Sequence, residues 1–442
     1  MTQALNKKFK KMLDKLPYLI LKDIIELASN DELLNLRFLN KTCYEVVNQV
    51  LYERLTLSKF FSQGCRNYQL NFYSRYGTKV QHLEFTHFFY SLPLALKQCS
   101  NIVSLDIKEY DTFQYRDLSL VSSDEAPFLR NLSIGFDGDL PFELPPFPML
   151  ANLTQFQLQL KRCSQTHINY FLENLSTDKL IKISISCEQY LELEDFTRFE
   201  VFDNLKTIQL NAWELKFQHF NPTFIGFKSL TTFELSATIA TDLSQLSLFY
   251  DYLTKLPNLK TLLFNYCNHN QCSNLQLKSP PNTQLETIML SGCTKLNFEG
   301  YDGFKYIKQL NLNCFKGFSS LLTKLSYFTS LKVIKLYWYF EDKDIAFENA
   351  MTTPNELKVQ RIDFYHSHMT VDHLFAFLSL FPELKYLYFY RGKLSSGIFD
   401  ASFRFLNDLP LFQFKIHKGS YPDSNPLFHE IRNHSNILFF HI

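Results

Sequence analysis

One spacing of apolar residues, apolar-x-x-apolar-x-apolar, returns along almost the whole chain. Its clearest copies are Leu205-Lys-Thr-Ile208-Gln-Leu210, Leu259-Lys-Thr-Leu262-Leu-Phe264 and Leu285-Glu-Thr-Ile288-Met-Leu290. Copies begin at Val80, Ile102, Leu129, Leu153, Leu180, Leu205, Leu230, Leu259, Leu285, Ile307, Leu331, Val359, Leu384, Leu411 and Ile437. Their mean step is about 25 residues, a period that marks a stacked repeat rather than chance matches. Within each copy the last two apolar positions flank a single residue. That period of two predicts a short strand with the apolar pair on its buried face and the intervening residues on the opposite, concave face. Several connectors switch to helical spacing. Leu243, Leu246, Phe249 and Leu253 do so between Asp242 and Leu256, as do Leu374, Phe375, Leu378 and Phe381 between Val371 and Phe381. Proline closes such connectors at Leu256-Pro257, Phe381-Pro382 and Leu409-Pro410, because the residue before a proline is pushed out of the helical region.

This spacing and period resemble those of leucine-rich repeats. The resemblance implies an α/β solenoid over residues 58–442, a horseshoe of about 15 repeats with a parallel inner sheet and outer helices. One copy buries too little apolar surface to offset the ordering of its residues, so neighbours must stack. The last copy leaves a strand edge, which the preceding loop and helix or a partner must cover. The connector 137–148 is too rich in proline for a helix and reads as an extended crossover or a polyproline ligand.

Residues 16–57 break the pattern. Leu16-Pro17 opens a helical stretch with Ile20, Leu21, Ile24, Ile25 and Ala28 on one face, Pro17 standing where no intrahelical donor is lost. Ser29-Asn-Asp-Glu32 reads as a capping box before Leu33, Leu34, Leu36 and Leu39. Cys43, Val46, Val47, Val50 and Leu51 form the stripe of a further helix. Three short helices result, with more apolar surface than they can bury among themselves. That surface must meet a partner or cap the first repeat. Tyr52-x-x-Leu55-x-Leu57 has the repeat's own spacing and predicts a strand ahead of the copy at Val80.

The order Leu16-Pro17, Ile20-Leu21, Ile24, Leu33-Leu34, Leu36, Asn40-Lys41, Val46 and Leu51-Tyr52-x-x-Leu55 resembles an F-box. The resemblance implies that Leu16, Pro17, Ile20, Leu21, Ile24, Leu33, Leu36, Val46 and Leu51 dock on the Skp linker subunit of a cullin-RING ubiquitin ligase. The repeats would then hold a target protein for ubiquitination. The chain departs from the family pattern at Leu19, Ala28 and Cys43, where many members carry Glu, Leu and an aromatic residue. Two other roles stay open: a scaffold in a non-ligase Skp assembly, and a free-standing repeat binder whose N-terminal helices only cap the array.

The net charge is +1, from 45 basic and 44 acidic side chains, which gives no general field for nucleic acid or a membrane surface. The chain carries 45 Phe, which reads as filler in place of Leu between repeats. No apolar run is long enough to span a bilayer. Residues 1–15 hold Lys7, Lys8, Lys10, Lys11 and Lys15, a nuclear address or a solvated tail rather than a signal peptide. The expected location is cytoplasmic, nuclear or both, with the nine scattered cysteines reduced. Cys267 and Cys272 flank His269 without a second ligand pair, so no metal or cofactor is expected. There is no glycine-rich phosphate loop, no G-x-S-x-G and no H-E-x-x-H. His366-Ser-His368 puts two His on one strand face and reads as packing or surface. The sequon Asn152-Leu-Thr154 falls in a predicted strand. The chain reads as non-catalytic.

The concave positions follow a gradient. Early and middle copies show small neutral groups such as Asn131, Ser133, Gln155, Gln157 and Ser184. Late copies show Lys335, Tyr337, Arg361, Tyr365, Tyr386, Tyr388, Tyr390 and Lys415. Aromatic and Arg side chains dominate binding hot spots, so these eight are the candidate target-binding residues. The competing reading is a partly solvated cross-strand tyrosine ladder.

Overall fold

The computed structural model describes residues 17–26, 32, 36, 38–39, 41–57, 74–86, 92–110, 121, 126–136, 140, 149–193, 196–217, 227–240, 243–266, 284–291, 302–313, 325–337, 358–370, 374, 381–391, 393–395, 412–416 and 437–441. The chain divides into two compact units, residues 1–162 with 166–186, and residues 163–165 with 187–442.

The first unit opens with helices α1 (Tyr18–Glu26) and α2 (Lys41–Glu53). Leu21 and Ile25 of α1 meet Cys43, Val46 and Val47 of α2 in a closed core, with Leu36, Leu39, Val50 and Leu51 packed around it. These are the residues that helical spacing places on facing stripes. Lys22 Nζ pairs with Glu53 at 3.0 Å, and Tyr18 donates a hydrogen bond to Gln49. The middle helix expected over 29–39 falls mostly outside the described residues.

Helix α2 then gives way to a strand without a loop. Strand β1 (Arg54–Leu57) follows α2 at once and pairs in parallel with β2 (His82–Thr86), Leu55 opposite Leu83 and Leu57 opposite Phe85. Thus the strand expected at Leu55-x-Leu57 is present, and the helices pass directly into the repeat array. After α3 (Leu92–Gln98) come β3 (Ser104–Tyr110), β4 (Asn131–Phe136) and β5 (Gln155–Cys163), each parallel to the one before. α4 (Gln165–Leu172) leads into β6 (Lys182–Leu193), which begins in the first unit and ends in the second.

The second unit continues with α5 (Thr197–Glu200), β7 (Thr207–Phe217), β8 (Thr232–Ala240), α6 (Leu243–Thr254), β9 (Thr261–Tyr266), β10 (Thr287–Ser291), β11 (Gln309–Asn313) and β12 (Val333–Tyr337). Then follow β13 (Arg361–Tyr365), β14 (His368–Thr370), β15 (Tyr386–Tyr390), β16 (Lys393–Ser395), β17 (Phe412–Ile416) and β18 (Ile437–His441). From β7 to β18 the main strands pair in parallel in chain order, with β14 and β16 forming a separate two-stranded strip.

One hydrogen-bond device sets the register in both units. The two amides after the first apolar residue of a copy both donate to one carbonyl of the previous copy. Val103 and Ser104 meet Gln81 O at 2.7 and 2.9 Å, Thr154 and Gln155 meet Arg130 O at 2.7 and 2.9 Å, and Lys385 and Tyr386 meet Gln360 O at 2.9 and 3.0 Å. An Asn just before that apolar residue adds a side-chain bond across the same step. Asn101, Asn152 and Asn258 donate to the carbonyls of Thr78, Pro127 and Lys228 at 2.7, 2.9 and 2.5 Å. Asn152 therefore sits in a turn before β5, not in a strand. The forks pin each copy, so the apolar pairs stack face on face: Leu132–Phe156 and Ile134–Leu158 in the first unit, Ile334–Ile362 and Leu336–Phe364 in the second. Phe fills between copies as expected, with Phe196 stacked on Phe249 at 4.8 Å and Phe364 against Phe389 at 5.7 Å.

The fold departs from expectation in two further places. Among the described residues, α-helices stand at some connectors and not at others. The helix expected at Asp242–Leu256 is α6, but the turns at Gly77–Lys79, Asp302–Tyr306 and Leu325–Tyr327 are short 3-10 segments. Of Val371–Phe381 only Leu374 and Phe381 are described, both buried. The last copy is also out of phase by one residue. Phe439 and His441, not Phe440 and Ile442, stand opposite Phe414 and Ile416. A one-residue slip exchanges strand faces, and the backbone pairing overrides the apolar count there. The proline-rich connector, apart from buried Leu140, and the Cys267–Cys272 segment lie outside the described residues.

Candidate functional site

Three adjacent parallel strands, β12, β13 and β15, carry most of the late candidate residues. The register aligns them in rows: Val333–Arg361–Tyr386, Lys335–Asp363–Tyr388 and Tyr337–Tyr365–Tyr390. All of them alternate with the buried apolar pairs and so project from the opposite face, as the period of two requires. Lys415 stands opposite Tyr388 on the next strand.

At the centre is Asp363, which is 0% exposed. Arg361, two residues earlier on the same face, donates from Nε to both carboxylate oxygens at 2.8 and 3.0 Å. A buried carboxylate needs such a charge-assisted bond to offset lost hydration. The pairing raises the Arg361 pKa, chiefly through that hydrogen bond, and leaves the guanidinium about half exposed. Tyrosines wall the pair. Tyr337 and Tyr365 stack at 4.6 Å and 8°, Tyr365 meets Tyr388 edge-on at 5.9 Å, and Tyr388 lies 6.0 Å from Tyr390. Burial first, and the Asp363 charge second, push the Tyr365 phenol up to about 12. Burial likewise raises Tyr337 and Tyr388. At neutral pH the site therefore holds protonated phenols beside a fixed guanidinium, a donor-rich and aromatic surface. The tyrosine ladder is real, and it is built around an acid that sequence reading passed over. The signal was an Asp at i+2 from Arg361, on the same strand face.

The chain turns sharply where these strands end. His366 and Arg391 hold φ of 53° and 50°, uncommon for residues with a Cβ. They follow Tyr365 and Tyr390 in successive copies and redirect the backbone into β14 and β16. The His366 amide donates to Tyr390 O at 2.9 Å, and the Arg391 guanidinium lies 5.1 Å over the Tyr390 ring. His366 and His368 are thus separated by a turn and do not share one strand face.

The docking candidates divide by burial. Leu21 and Val46 lie wholly inside the α1–α2 core, with Leu36 and Leu51 half-buried against it. Pro17 and Ile20 are exposed, and Tyr18 and Tyr44 add exposed aromatic surface. Ile24 belongs to α1. Leu16 and Leu33 lie outside the described residues.

One short strand per copy and parallel pairing in chain order, over buried apolar pairs such as Leu132–Ile134 and Ile362–Phe364, define a parallel-sheet β-solenoid. Among solved structures the chain is similar to an internalin from Listeria monocytogenes, at 12% identity over 82% of this chain and 80% of that one, with a TM-score of 0.32. It is also similar to TLR13 in a TLR13–ssRNA13 complex, at 14% identity over 89% of this chain and 59% of that one, with a TM-score of 0.40. No family model matches the chain, and no curated protein does. Among the described residues no helix is long and apolar enough to cross a membrane, and no group of three or more His, Cys, Asp or Glu is placed to hold a metal ion.

Proposed function

We propose that the chain is a non-catalytic recognition subunit, its repeats binding a target protein and its N-terminal helices docking on a Skp-type linker of a cullin-RING ubiquitin ligase. The observation that carries the binding half is the Arg361–Asp363 pair set in the tyrosine ladder. Large rigid rings and a pre-oriented guanidinium lose little freedom when a partner covers them. The docking half rests on the order of residues 16–57 and on the exposure of Pro17, Tyr18, Ile20 and Tyr44 around a closed helical core. The chain itself performs no bond chemistry in this reading; it raises the effective concentration of target lysines near the conjugating enzyme.

One observation favours a second reading, a free-standing binder with a helical cap. Leu21 and Val46 are consumed by the module's own core, and β1 joins α2 directly to the array. Tyr52 of α2 also stacks on Tyr76 at 4.1 Å. Co-expression with a Skp subunit, read by size-exclusion chromatography, separates the two. The ligase reading expects a one-to-one complex that Ile20→Glu abolishes and Tyr388→Ala leaves intact. A folded wild-type chain that elutes alone supports the cap.

A further inference from the structure

The open face over β3 to β6 of the first unit holds a depression of about 310 Å³. Its walls form a grid. Ser104, Asn131 and Gln155 stand in one row, with Lys182 beside Gln155 through the amide fork on Thr154 O. Asp106, Ser133 and Gln157 make the next row, which Ser184 extends as the residue two beyond Lys182 on β6. Gly135 faces Gln159 in the third row, where β3 slips register between Ile107 and Tyr110. The slip and the missing side chain at Gly135 open the hollow; bulges recur beside binding sites.

The lining points to one ligand chemistry. Gln155, Gln157 and Gln159 lie on one face of one strand, all exposed, and none has a side-chain hydrogen bond among the described residues. Same-face positions on a strand are roughly 6.6–6.8 Å apart, the repeat of same-side peptide groups in a second extended chain. A carboxamide offers a donor and an acceptor side by side, the complement of a peptide unit. No exposed aromatic ring lines the hollow, so nothing there stacks a base or the apolar face of a sugar. The charges are few. Lys108 is held by Glu84 at 2.5 Å and by Asp106 at 3.6 Å. Lys182 is half-buried with no acidic partner among the described residues, leaving one uncompensated positive charge.

We propose that this hollow binds an extended peptide segment along β5, its main chain read by Gln155, Gln157 and Gln159 and a single carboxylate received by Lys182. The carboxylate is that of a chain terminus or of an acidic side chain. The site shares no residue with the tyrosine ladder and does not depend on ligase docking.

The test pans the full chain against displayed random heptapeptides with free C-terminal carboxylates, then measures enriched peptides by fluorescence anisotropy. The expected result is binding that weakens about tenfold or more in Gln157→Ala/Gln159→Ala, the scale of one or two lost hydrogen bonds. N-methylating alternate peptide units weakens it similarly, and Arg361→Ala/Tyr388→Ala does not change it. Lys182→Gln weakens binding too. Amidating the terminus reproduces that loss if the terminus is the anion, and Glu→Gln in the peptide does so if a side chain is. Circular dichroism confirms that the variants, all at exposed or half-buried positions, remain folded. The proposal is overturned if no peptide enriches, or if affinity ignores the glutamine pair or follows Arg361. It is equally overturned if a maltoheptaose or oligo-dT probe binds through the glutamines instead.

Discussion

The face over β3 to β6 and the face over β12 to β15 rest on the same frame and are dressed differently. Beneath each lies a stack of apolar pairs held by amide forks. Above, the first presents exposed or half-exposed amides and hydroxyls with no side-chain partner among the described residues, while the second presents groups that satisfy one another. Asp363 is covered by its neighbours, and Arg361 is fixed by it. The first face can therefore be rewritten without touching the fold. The second is cross-linked by its own contacts, so in the proposed binding role its ordering cost is met before any partner arrives.

The common frame predicts the largest effect. Truncating an inner apolar residue under either face, Ile134→Ala or Ile362→Ala, should cost about 2–5 kcal/mol each, the scale of large-to-small core substitutions. Both side chains are wholly buried. Urea denaturation followed by circular dichroism measures it. A loss at one site and not the other would break the idea of a shared frame.

The difference in dress predicts the next effect. Asp363→Ala removes the acid that orients Arg361 and should cost about 1–3 kcal/mol, the range for a lost charged hydrogen bond. The figure stays below that for a fully buried pair, because the half-exposed guanidinium can turn to water. Ser133→Ala, in the matching middle row of the first unit, should stay within about 0.5 kcal/mol. Equal losses in the same denaturation assay would mean that the first face is cross-linked too.

How much of this was legible follows from where each signal lives. The frame is written in period-two apolar pairs, so fourteen of the fifteen copies fall in phase with strands. The fifteenth fails because Ile437, Phe440 and Ile442 fit the spacing while the backbone pairing sets Phe439, not Phe440, opposite Phe414. Helical connectors were readable where Leu243, Phe249 and Leu253 repeat at helical spacing, and unreadable where a few residues close a 3-10 turn. The tyrosine ladder was visible as a run of Tyr at alternate positions. Asp363 was not, because an isolated acid on a solvent-facing position carries no mark of burial; only the neighbouring rings bury it. Nor were the αL corners, since His366 and Arg391 replace the glycine that usually announces them. The first face was read as small and neutral because its chemistry lies in repeated carboxamides, a single uncompensated Lys182 and the missing side chain at Gly135, none of which marks a hot spot.

The smallest effect tests how closed the tyrosine ladder is. Tyr365 ionises near 12 in the folded chain, against about 10 for an open phenol. A raised pKa means that folding favours the protonated form. Its contribution is fully present below pH about 10 and is lost as pH rises from there towards about 12. The stability difference between wild type and Tyr365→Phe should therefore be flat to pH about 10 and shrink above it. Absorbance at 295 nm reads the same event, and the variant should lack one late-ionising component near 12. No tyrosine lines the first unit's hollow, so Gln157→Ala should leave that titration unchanged. If Tyr365→Phe instead removes a component near 10, the ring stack is open to water and the two faces differ in composition but not in closure.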